Sequence, residues 1–444
     1  GMATYAIPSG VATIGYFAFG YCENLTYLTI PASVTSIENL AFSSCDNLLQ
    51  VIMEGETPAT AGTNMFNNCD ALAEILVPTE AAVAAYKAAT NWSTYKDIIF
   101  YNSLSDLVFT PINDSGATVA ENSNTHTAYM VGTGIEEEFG NGLQSGKTPT
   151  TIHIPAYYKG KPVAVIGQYA YCDDSDLASV TFSKDSKLSL ILNYAFNGTS
   201  IINLIIPEGV EYIGEYAFNC ESLTSLSLPS TLIEIGESAF AYCTSLATVT
   251  FASGSSLAII GYNAFYNCTS LTKIKIPSSV ASIGDNPFEG CTNLDTIIVA
   301  SGNTTFSTLD SGNLLMQGTK VISFAPYGIT SYTIPASVTE IGCFAFGYCE
   351  NLTYLAIPAS VIKIDSYAFE SCKNLSQVVM LGETPATAGT HVFHECTPLA
   401  EILVPTEAAV TAYKAATNWS TYKDKIFCNI IADLRFVPLT EGGI

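Results

Sequence analysis

One phrase recurs along almost the whole sequence and limits what the chain can fold into: Ile-Pro-x-x-Val-x-x-Ile-Gly-x-x-Ala-Phe-x-x-Cys-x-x-Leu-x-x-Leu-x-Ile-Pro. The first complete copy runs from Ile7 to Pro31, and Cys22 and Cys45 stand 23 residues apart in successive copies. A period of about 20 to 29 residues is typical of solenoids with one coil per copy. A single coil cannot bury its own apolar face, so the pattern requires the coils to stack.

Each part of the phrase predicts one part of a coil. Leu-x-x-Leu-x-Ile predicts a short strand with alternate side chains inward, and the proline ends it because proline has no N–H to donate. Val-x-x-Ile-Gly predicts a bend in which the glycine supplies a positive φ. In Ala-Phe, the alanine allows a close approach of the backbone and the phenylalanine fills the core.

A longer duplication lies above this repeat. Residues 5–102 recur at 332–429 with a constant offset of 349 − 22 = 327. Each copy ends in a segment that breaks the phrase, and in the first copy Thr79 is placed to N-cap a helix with Glu80 at its positive end. We predict a capping element, in which a set of large side chains covers the last coil: Val83, Tyr86, Trp92 and Tyr95.

This organisation predicts four segments. Residues 3–102 form a capped repeat block, 103–151 an N-terminal β cap of the second block, and 152–430 a second capped block. In the β cap, Leu107–Phe109 and Tyr129–Val131 are strand-like. The tail 431–444 is a possible start of a further block, because Asp433–Pro438 echoes Asp106–Pro111. The predicted fold class is a β-rich α/β solenoid, a right-handed superhelix with short strands on its concave face and helical C-terminal caps.

Composition narrows the function. The 444 residues carry 16 basic and 40 acidic side chains, a net charge of −24, which argues against nucleic acid as a partner. No apolar stretch reaches the roughly 20 residues of a membrane helix, so we expect no transmembrane segment. Gly1 before Met2 resembles a scar of tag removal, and we expect any export signal to lie outside this chain.

The cysteines favour a structural role. Nine of the 13 share one repeat phase, which is explained by a small apolar side chain that faces inward once per coil. We predict reduced, buried thiols rather than disulfides, and no metal site, because the sequence has no Cys-x-x-Cys pair. The nine are Cys22, Cys45, Cys69, Cys243, Cys268, Cys291, Cys349, Cys372 and Cys396.

Three other patterns resemble functional sites. His391 and His394 resemble a metal cluster, but the first copy has Asn64 and Asn67 there, so surface histidines are the better interpretation. Residues 142–148 resemble a phosphate loop but lack its spacing and the helix that should follow. The acidic run at residues 136–138 fits a solvated turn better than a cation site. We therefore predict no catalytic residue, no metal and no cofactor.

The strands suggest a binding surface. The middle x of Leu-x-Ile should point outward in every copy, and these positions form a nearly uncharged, partly apolar row. Such a stripe marks a protein-binding face as readily as it reflects the preference of strands for β-branched residues. We call it the outward row: Thr29, Ile52, Leu76, Thr181, Ile205, Ser227, Thr250, Lys275, Ile298, Ala356, Val379 and Leu403. The neighbouring outward column adds Tyr27, Lys273 and Tyr354.

Ile-Gly-x-x-Ala-Phe-x-x-Cys followed by Leu-x-x-Leu-x-Ile-Pro resembles the BspA-like subfamily of leucine-rich-repeat proteins. The residues Lys161-Pro162-Val163-x-x-Ile166-Gly167 and the interrupting segment Gly302–Phe306 are similar as well. The chain departs from the common leucine-rich pattern, since Pro31 to Val34 stand where an asparagine ladder is usual. The resemblance implies a surface-exposed or secreted bacterial protein, and several members are implicated in adhesion. It brings no catalytic residues.

The sequence pattern and the family resemblance are compatible with three functions. The favoured one is a secreted or cell-surface binding module, acting as a monomer, for a protein or glycoprotein of a host or bacterial surface. The alternative is a structural spacer that displays another domain. A hydrolase acting on surface polymers is the third.

Overall fold

The computed structural model describes residues 3–132, 142–143 and 148–429. In this part of the chain each copy of the phrase forms one coil, with a two-residue strand at the Ile-Gly bend and a longer strand at Leu-x-Ile. The expected β-rich solenoid with few helices and with helical C-terminal caps is confirmed. The acidic run at 136–138, residues 144–147 of the rejected phosphate loop and the tail 431–444 lie outside the described residues.

The chain divides into two compact units, Gly1–Ile235 with Phe251–Ser255, and Gly236–Thr250 with Ser256–Ile444. Within each unit, successive coils pair their strands in parallel without a shift of register, so equivalent residues lie side by side. The block boundaries predicted after residues 102, 151 and 430 stay predictions.

In the first unit the strands are Thr4–Ala6, Thr13–Ile14, Tyr27–Ile30, Ser36–Ile37, Gln50–Met53, Thr60–Ala61, Glu74–Val77, Ile99–Tyr101, Phe109–Ile112, Ala128–Val131, Thr151–Ile154, Tyr157–Tyr158, Lys161–Ile166, Ser179–Phe182, Leu190–Ile191, Asn203–Ile205, Tyr212–Ile213, Ser225–Leu228 and Glu234–Ile235. Strand Thr248–Phe251 belongs partly to each unit. The second unit contains Ile259–Ile260, Lys273–Ile276, Ser282–Ile283, Thr296–Val299, Phe306–Leu309, Leu314–Gln317, Lys320–Phe324, Ser331–Thr333, Glu340–Ile341, Tyr354–Ile357, Lys363–Ile364, Gln377–Met380, Thr387–Ala388, Glu401–Val404 and Ile426–Cys428.

The Ala-Phe-x-x-Cys part of each coil builds two ladders in the core. Phenylalanine rings of neighbouring coils stack, as Phe196 does on Phe218 at 5.1 Å and Phe346 on Phe369 at 5.1 Å. The thiol of Cys372 donates to the Phe346 carbonyl of the preceding coil at 3.2 Å, and the same bond recurs in other coils. The inward cysteine ladder is confirmed for eight of the nine positions, and Cys22 of the first coil is only half-buried.

The glycine of Ile-Gly has a different role from the one expected. Gly214, like Gly261 and Gly389, does not have a positive φ. Instead, a Cβ on Gly214 would lie 2.5 Å from the backbone nitrogen of Asn193 in the preceding coil. The positive φ falls two residues later, as at Tyr216 with φ 48°. Glycine is therefore required by the close stacking of coils rather than by its φ angle.

Helices close both duplicated blocks. Helix α1 spans Glu80–Ala88 and α2 spans Glu407–Ala415, and short 3-10 helices lie at Ser93–Ile98, Asp310–Gly312 and Trp419–Lys425. The predicted N-cap is confirmed, because Thr79 Oγ1 accepts a bond from Ala82 N at 3.1 Å. Tyr86 and Trp92 are fully buried against the last coil, and Trp92 Nε1 donates to Ala59 O at 2.8 Å.

Two β elements interrupt the coils. Strands Phe109–Ile112 and Ala128–Val131 are antiparallel, and the second pairs in parallel with Lys161–Ile166. In the second unit Phe306–Leu309, Leu314–Gln317 and Lys320–Phe324 form an antiparallel meander. The ring of Phe324 lies 4.7 Å from the ring of Phe346 and so continues the phenylalanine ladder.

Candidate functional site

The strand pairing brings the outward row together within each unit. Thr29, Ile52 and Leu76 are register partners in three successive coils, and Ile205 is the partner of Ser227. In the second unit three further pairs follow, Lys275 with Ile298, Ala356 with Val379, and Val379 with Leu403. These ten positions therefore lie side by side in register, and the role of the outward row in binding stays a prediction.

Exposure divides the outward row into two parts. Ile205, Thr250 and Lys275 are exposed, with Ile205 at 73%, and five others are partly exposed: Thr29, Ile52, Thr181, Ser227 and Ile298. The expectation that every position faces solvent is wrong for Leu76, Ala356, Val379 and Leu403, which are buried. The last three form an apolar cluster with Tyr354. The exposed part of the outward row is therefore Ile205 in the first unit, and Thr250 and Lys275 in the second.

In the first block the chain itself covers part of the strand face. The turn at Gly160 lies beside the ring of Tyr27. A Cβ atom on Gly160 would be 3.8 Å from the Cε2 atom of that ring. The Tyr27 hydroxyl is buried, and burial raises the pKa of this group well above its ordinary value. Leu76 and Glu74 are buried as well. A second-block hairpin, Tyr157–Lys161, thus lies against the strand face of the first block.

A buried polar cluster lies in the same region. His153 Nε2 is 3.1 Å from Glu74 Oε2 and 3.3 Å from Ser183 Oγ, and Ser183 Oγ also donates to Glu74. Gln50 Nε2 donates to the other oxygen, Glu74 Oε1, at 2.7 Å. The ring of His153 stacks on Phe100 at 4.0 Å. We call Glu74, His153 and Ser183 the junction cluster.

The junction cluster has the residue types of a serine hydrolase but not the geometry. In a catalytic triad, one imidazole nitrogen contacts the serine and the other contacts the carboxylate. Here Nε2 faces both Glu74 and Ser183, while Nδ1 is 3.0 Å from Thr181 Oγ1. The side chains of His153 and Glu74 are both 1% exposed, so no substrate reaches them. Sequence reasoning missed this cluster because its members are 79 and 109 residues apart.

The exposed part of the strand face is polar and lightly charged. In the first unit Ser225 Oγ donates to Asn203 Oδ1 at 2.6 Å, beside the pair of Ile205 and Ser227. In the second unit Lys273 and Lys275 are exposed on one strand. The strand face therefore offers hydroxyls, an amide and an isoleucine side chain in the first unit, and two cations in the second.

The other candidates have structural partners. His394 Nδ1 is 3.2 Å from Glu370 Oε1, and the exposed His391 stacks on Tyr367 at 5.2 Å. Burial raises the pKa of the Cys268 thiol well above its ordinary range, so this group is not a thiolate nucleophile. Within residues 3–132, 142–143 and 148–429, no group of three or more His, Cys, Asp or Glu side chains is arranged to hold a metal ion.

Two carboxyls of the coils have raised pKa values. Burial, followed by the nearby charge of Glu370, raises the pKa of Glu289 to about 8. Burial also raises the pKa of Asp174, which occupies the position expected for a ladder cysteine. Its Oδ2 lacks a hydrogen-bond partner among the described residues. Glu289 is buried and Asp174 is partly buried, and neither belongs to the outward row.

No helix in the described part of the chain has the length and apolar character needed to cross a bilayer. No curated protein matches the chain in sequence. Among solved structures the chain is similar to the pneumococcal vaccine antigen PcpA, with 23% identity over 58% of this chain and a TM-score of 0.44. The match spans 62% of that antigen.

Two further solved structures match over nearly the whole chain. A leucine-rich cell surface protein of Faecalibacterium prausnitzii is 19% identical over 96% of this chain and 87% of its own, with a TM-score of 0.41. A leucine-rich repeat protein of Bacteroides ovatus is 19% identical over 96% of this chain and 91% of its own, with a TM-score of 0.36. At these identities the likeness concerns the fold alone.

The family model described as "BspA type Leucine rich repeat region (6 copies)" matches residues 2–110, 150–255, 219–310 and 321–433. These ranges cover most of the 444 residues. The chain is thus a member of the BspA-type leucine-rich-repeat family.

Proposed function

We propose that the chain is a secreted or cell-surface binding module that recognises a protein or glycoprotein partner through the exposed part of the outward row. The observation that carries this proposal is the exposure of Ile205, beside its partly exposed register partner Ser227. The family, whose members are bacterial repeat scaffolds and generally non-catalytic, supports a role in protein interaction. Adhesion, the identity of the partner and a monomeric state belong to this proposal.

The fixed spacing of the strands makes this surface suitable for binding. Neighbouring strands are held about 4.8 Å apart by the parallel ladder, so the side chains are ordered before a partner arrives. A pre-ordered surface loses little conformational entropy on binding, which leaves more of the contact energy as affinity. Isoleucine side chains can be desolvated, while serine and threonine hydroxyls give directional hydrogen bonds.

The test is a binding screen against matrix proteins, mucins and epithelial surfaces, followed by charge substitutions. Ile205→Glu, Thr250→Glu and Lys275→Glu should each weaken any saturable binding by about tenfold or more, because the first two put a charge into a lightly charged contact and the third reverses a charge. Ile362→Glu is the matched control, since Ile362 is 64% exposed but stands outside the row. Binding that survives all three substitutions would reject the strand face as the binding surface.

A structural spacer is the second candidate. It is favoured by the first block, where the chain itself covers Tyr27 and Leu76. This function predicts a folded protein without saturable binding in the same screen. A polymer-degrading hydrolase has less support, because the junction cluster is closed to solvent.

A further inference from the structure

We propose that Gln377, Glu401 and Phe427, here called the docking seat, bind another leucine-rich-repeat block built like residues 148–183 of this chain. This is a second interaction surface, separate from the exposed part of the outward row. The inference rests on a comparison of the two duplicated copies, in which the same three residues have different environments.

The first copy shows what these residues can hold. Gln50, Glu74 and Phe100 correspond to the docking seat at the offset of 327 residues. Glu74 accepts from Gln50 at 2.7 Å and contacts His153 at 3.1 Å, and Phe100 stacks on the imidazole with only 12° between the ring planes. The first copy thus receives the strand that carries His153.

The docking seat keeps the same internal geometry. Gln377 Nε2 donates to Glu401 Oε2 at 2.8 Å. Lys414 lies 6.0 Å from the Phe427 ring, as Lys87 lies 5.8 Å from Phe100. The conserved arrangement of acceptor, ring and cation means that the second copy is formed and ready for the same kind of contact.

The environment of the seat differs from that of its counterpart. Phe427 is 46% exposed, and Glu401 is partly exposed, whereas Glu74 is 1% exposed. No imidazole or hydroxyl of the described residues is seen to donate to Glu401. Among the described residues the side chain of Glu401 accepts a hydrogen bond from Gln377 alone, and the exposed Phe427 ring has no stacked ring beside it, which marks an unfilled contact.

The chemistry of the seat specifies the occupant. Glu401 requires N–H and O–H donors, which His153 and Ser183 supply to Glu74 in the first copy. Phe427 can stack on a planar ring, as Phe100 stacks on His153 in the first copy. One strand of the partner must therefore carry both the planar ring and the hydrogen-bond donors. Sequence supports the same partner, since Asp433–Pro438 after the second cap resembles Asp106–Pro111, which precedes the docked strand. A further repeat block meets all of these requirements.

The first experiment uses the native chain with one substitution in each copy. Phe100→Ala should increase amide hydrogen exchange in Thr151–Ile154 by about tenfold or more, because it removes the ring on which His153 stacks. Phe427→Ala should change exchange in its neighbouring strand Glu401–Val404 by less than about threefold. If Phe427→Ala has as large an effect as Phe100→Ala, this chain already fills the seat, and the proposal is wrong.

The second experiment supplies the occupant. The chain is continued after Asn429 with its own residues 103–235, which preserves the spacing found after Asn102. Exchange at Glu401–Val404 and Ile426–Cys428 should then slow by about tenfold or more. The control carries His153→Ala in the added segment only and should lose most of this protection.

Each outcome of the second experiment is decisive. Protection that depends on the added His153 supports the docking seat. An added segment that folds without protecting the seat overturns the proposal. The chain that ends at Ile235 is the folding control: a segment that folds on the first copy in that chain but not after Asn429 also overturns the proposal. Neither result depends on the outward row, so failure here leaves the proposed function untouched.

Discussion

Removal of the Glu74 carboxylate should destabilise the first block strongly. Glu74 accepts from Gln50 and contacts the His153 ring nitrogen and the Ser183 hydroxyl, all of them buried. A buried donor that loses its acceptor costs about 1–3 kcal/mol. Ser183 can still turn to the Ile154 carbonyl at 3.5 Å, but Gln50 Nε2 and His153 Nε2 both lose their contact with the carboxylate in Glu74→Ala. The expected loss of unfolding free energy is therefore about 2–5 kcal/mol.

The duplication provides a matched control. Glu401→Ala removes the corresponding carboxylate, which accepts from Gln377 in a partly exposed setting. The amide of Gln377 can then bond to water, so we expect a loss below about 1 kcal/mol. The two substitutions are chemically identical and differ only in what surrounds them.

Fluorescence can read each block separately. The chain has two tryptophans, Trp92 in the first cap and Trp419 in the second, and both are buried. Glu74→Ala is measured by urea unfolding in a Trp419→Phe background, and Glu401→Ala in a Trp92→Phe background, each against its own parent. A difference below about 1 kcal/mol between the two losses would refute the reasoning from orphaned donors.

Three other predictions concern the coils. Glu289 has a folded-state pKa of about 8, so the unfolded chain releases this proton first, and stability should fall by up to about 1.4 kcal/mol per pH unit from pH ~5 to 8. Glu289→Gln should remove this slope in unfolding curves measured at several pH values. Gly214→Ala should lower the melting temperature by several degrees because its Cβ would strike the preceding coil, whereas Gly15→Ala, with no atom within 4 Å of its Cβ, should leave it nearly unchanged. Native alkylation followed by mass spectrometry should modify the half-buried Cys22 well before the buried Cys268, and equal rates would contradict the ladder.

Much of the fold could be predicted because the repeat states the same local rule many times. Alternation in Leu-x-Ile places Leu226 and Leu228 inward, and Ser225 and Ser227 outward, as the structure shows. The helical caps could be predicted for a similar reason, since Thr79 and the alanines after it follow rules of helix initiation that act within a few residues. The reason for the glycine of Ile-Gly could not be predicted, because the sequence of a single copy does not show how closely the neighbouring coil approaches.

The outward row shows where sequence reasoning ends. One rule places Leu76 and Ile205 in the same outward position, yet Leu76 is buried and Ile205 is exposed. Likewise, Glu74 and Glu401 stand in nearly identical sequences, but only Glu74 receives the imidazole of His153. His153 and Ser183, which contact Glu74, are 79 and 109 residues away from it along the chain. The sequence by itself determined the coil, its core ladders and its caps, because these depend on contacts within one repeat and between adjacent repeats. Only the tertiary structure decided which stretches of the strand face stay open to a partner, because that depends on where distant segments of the chain fold back.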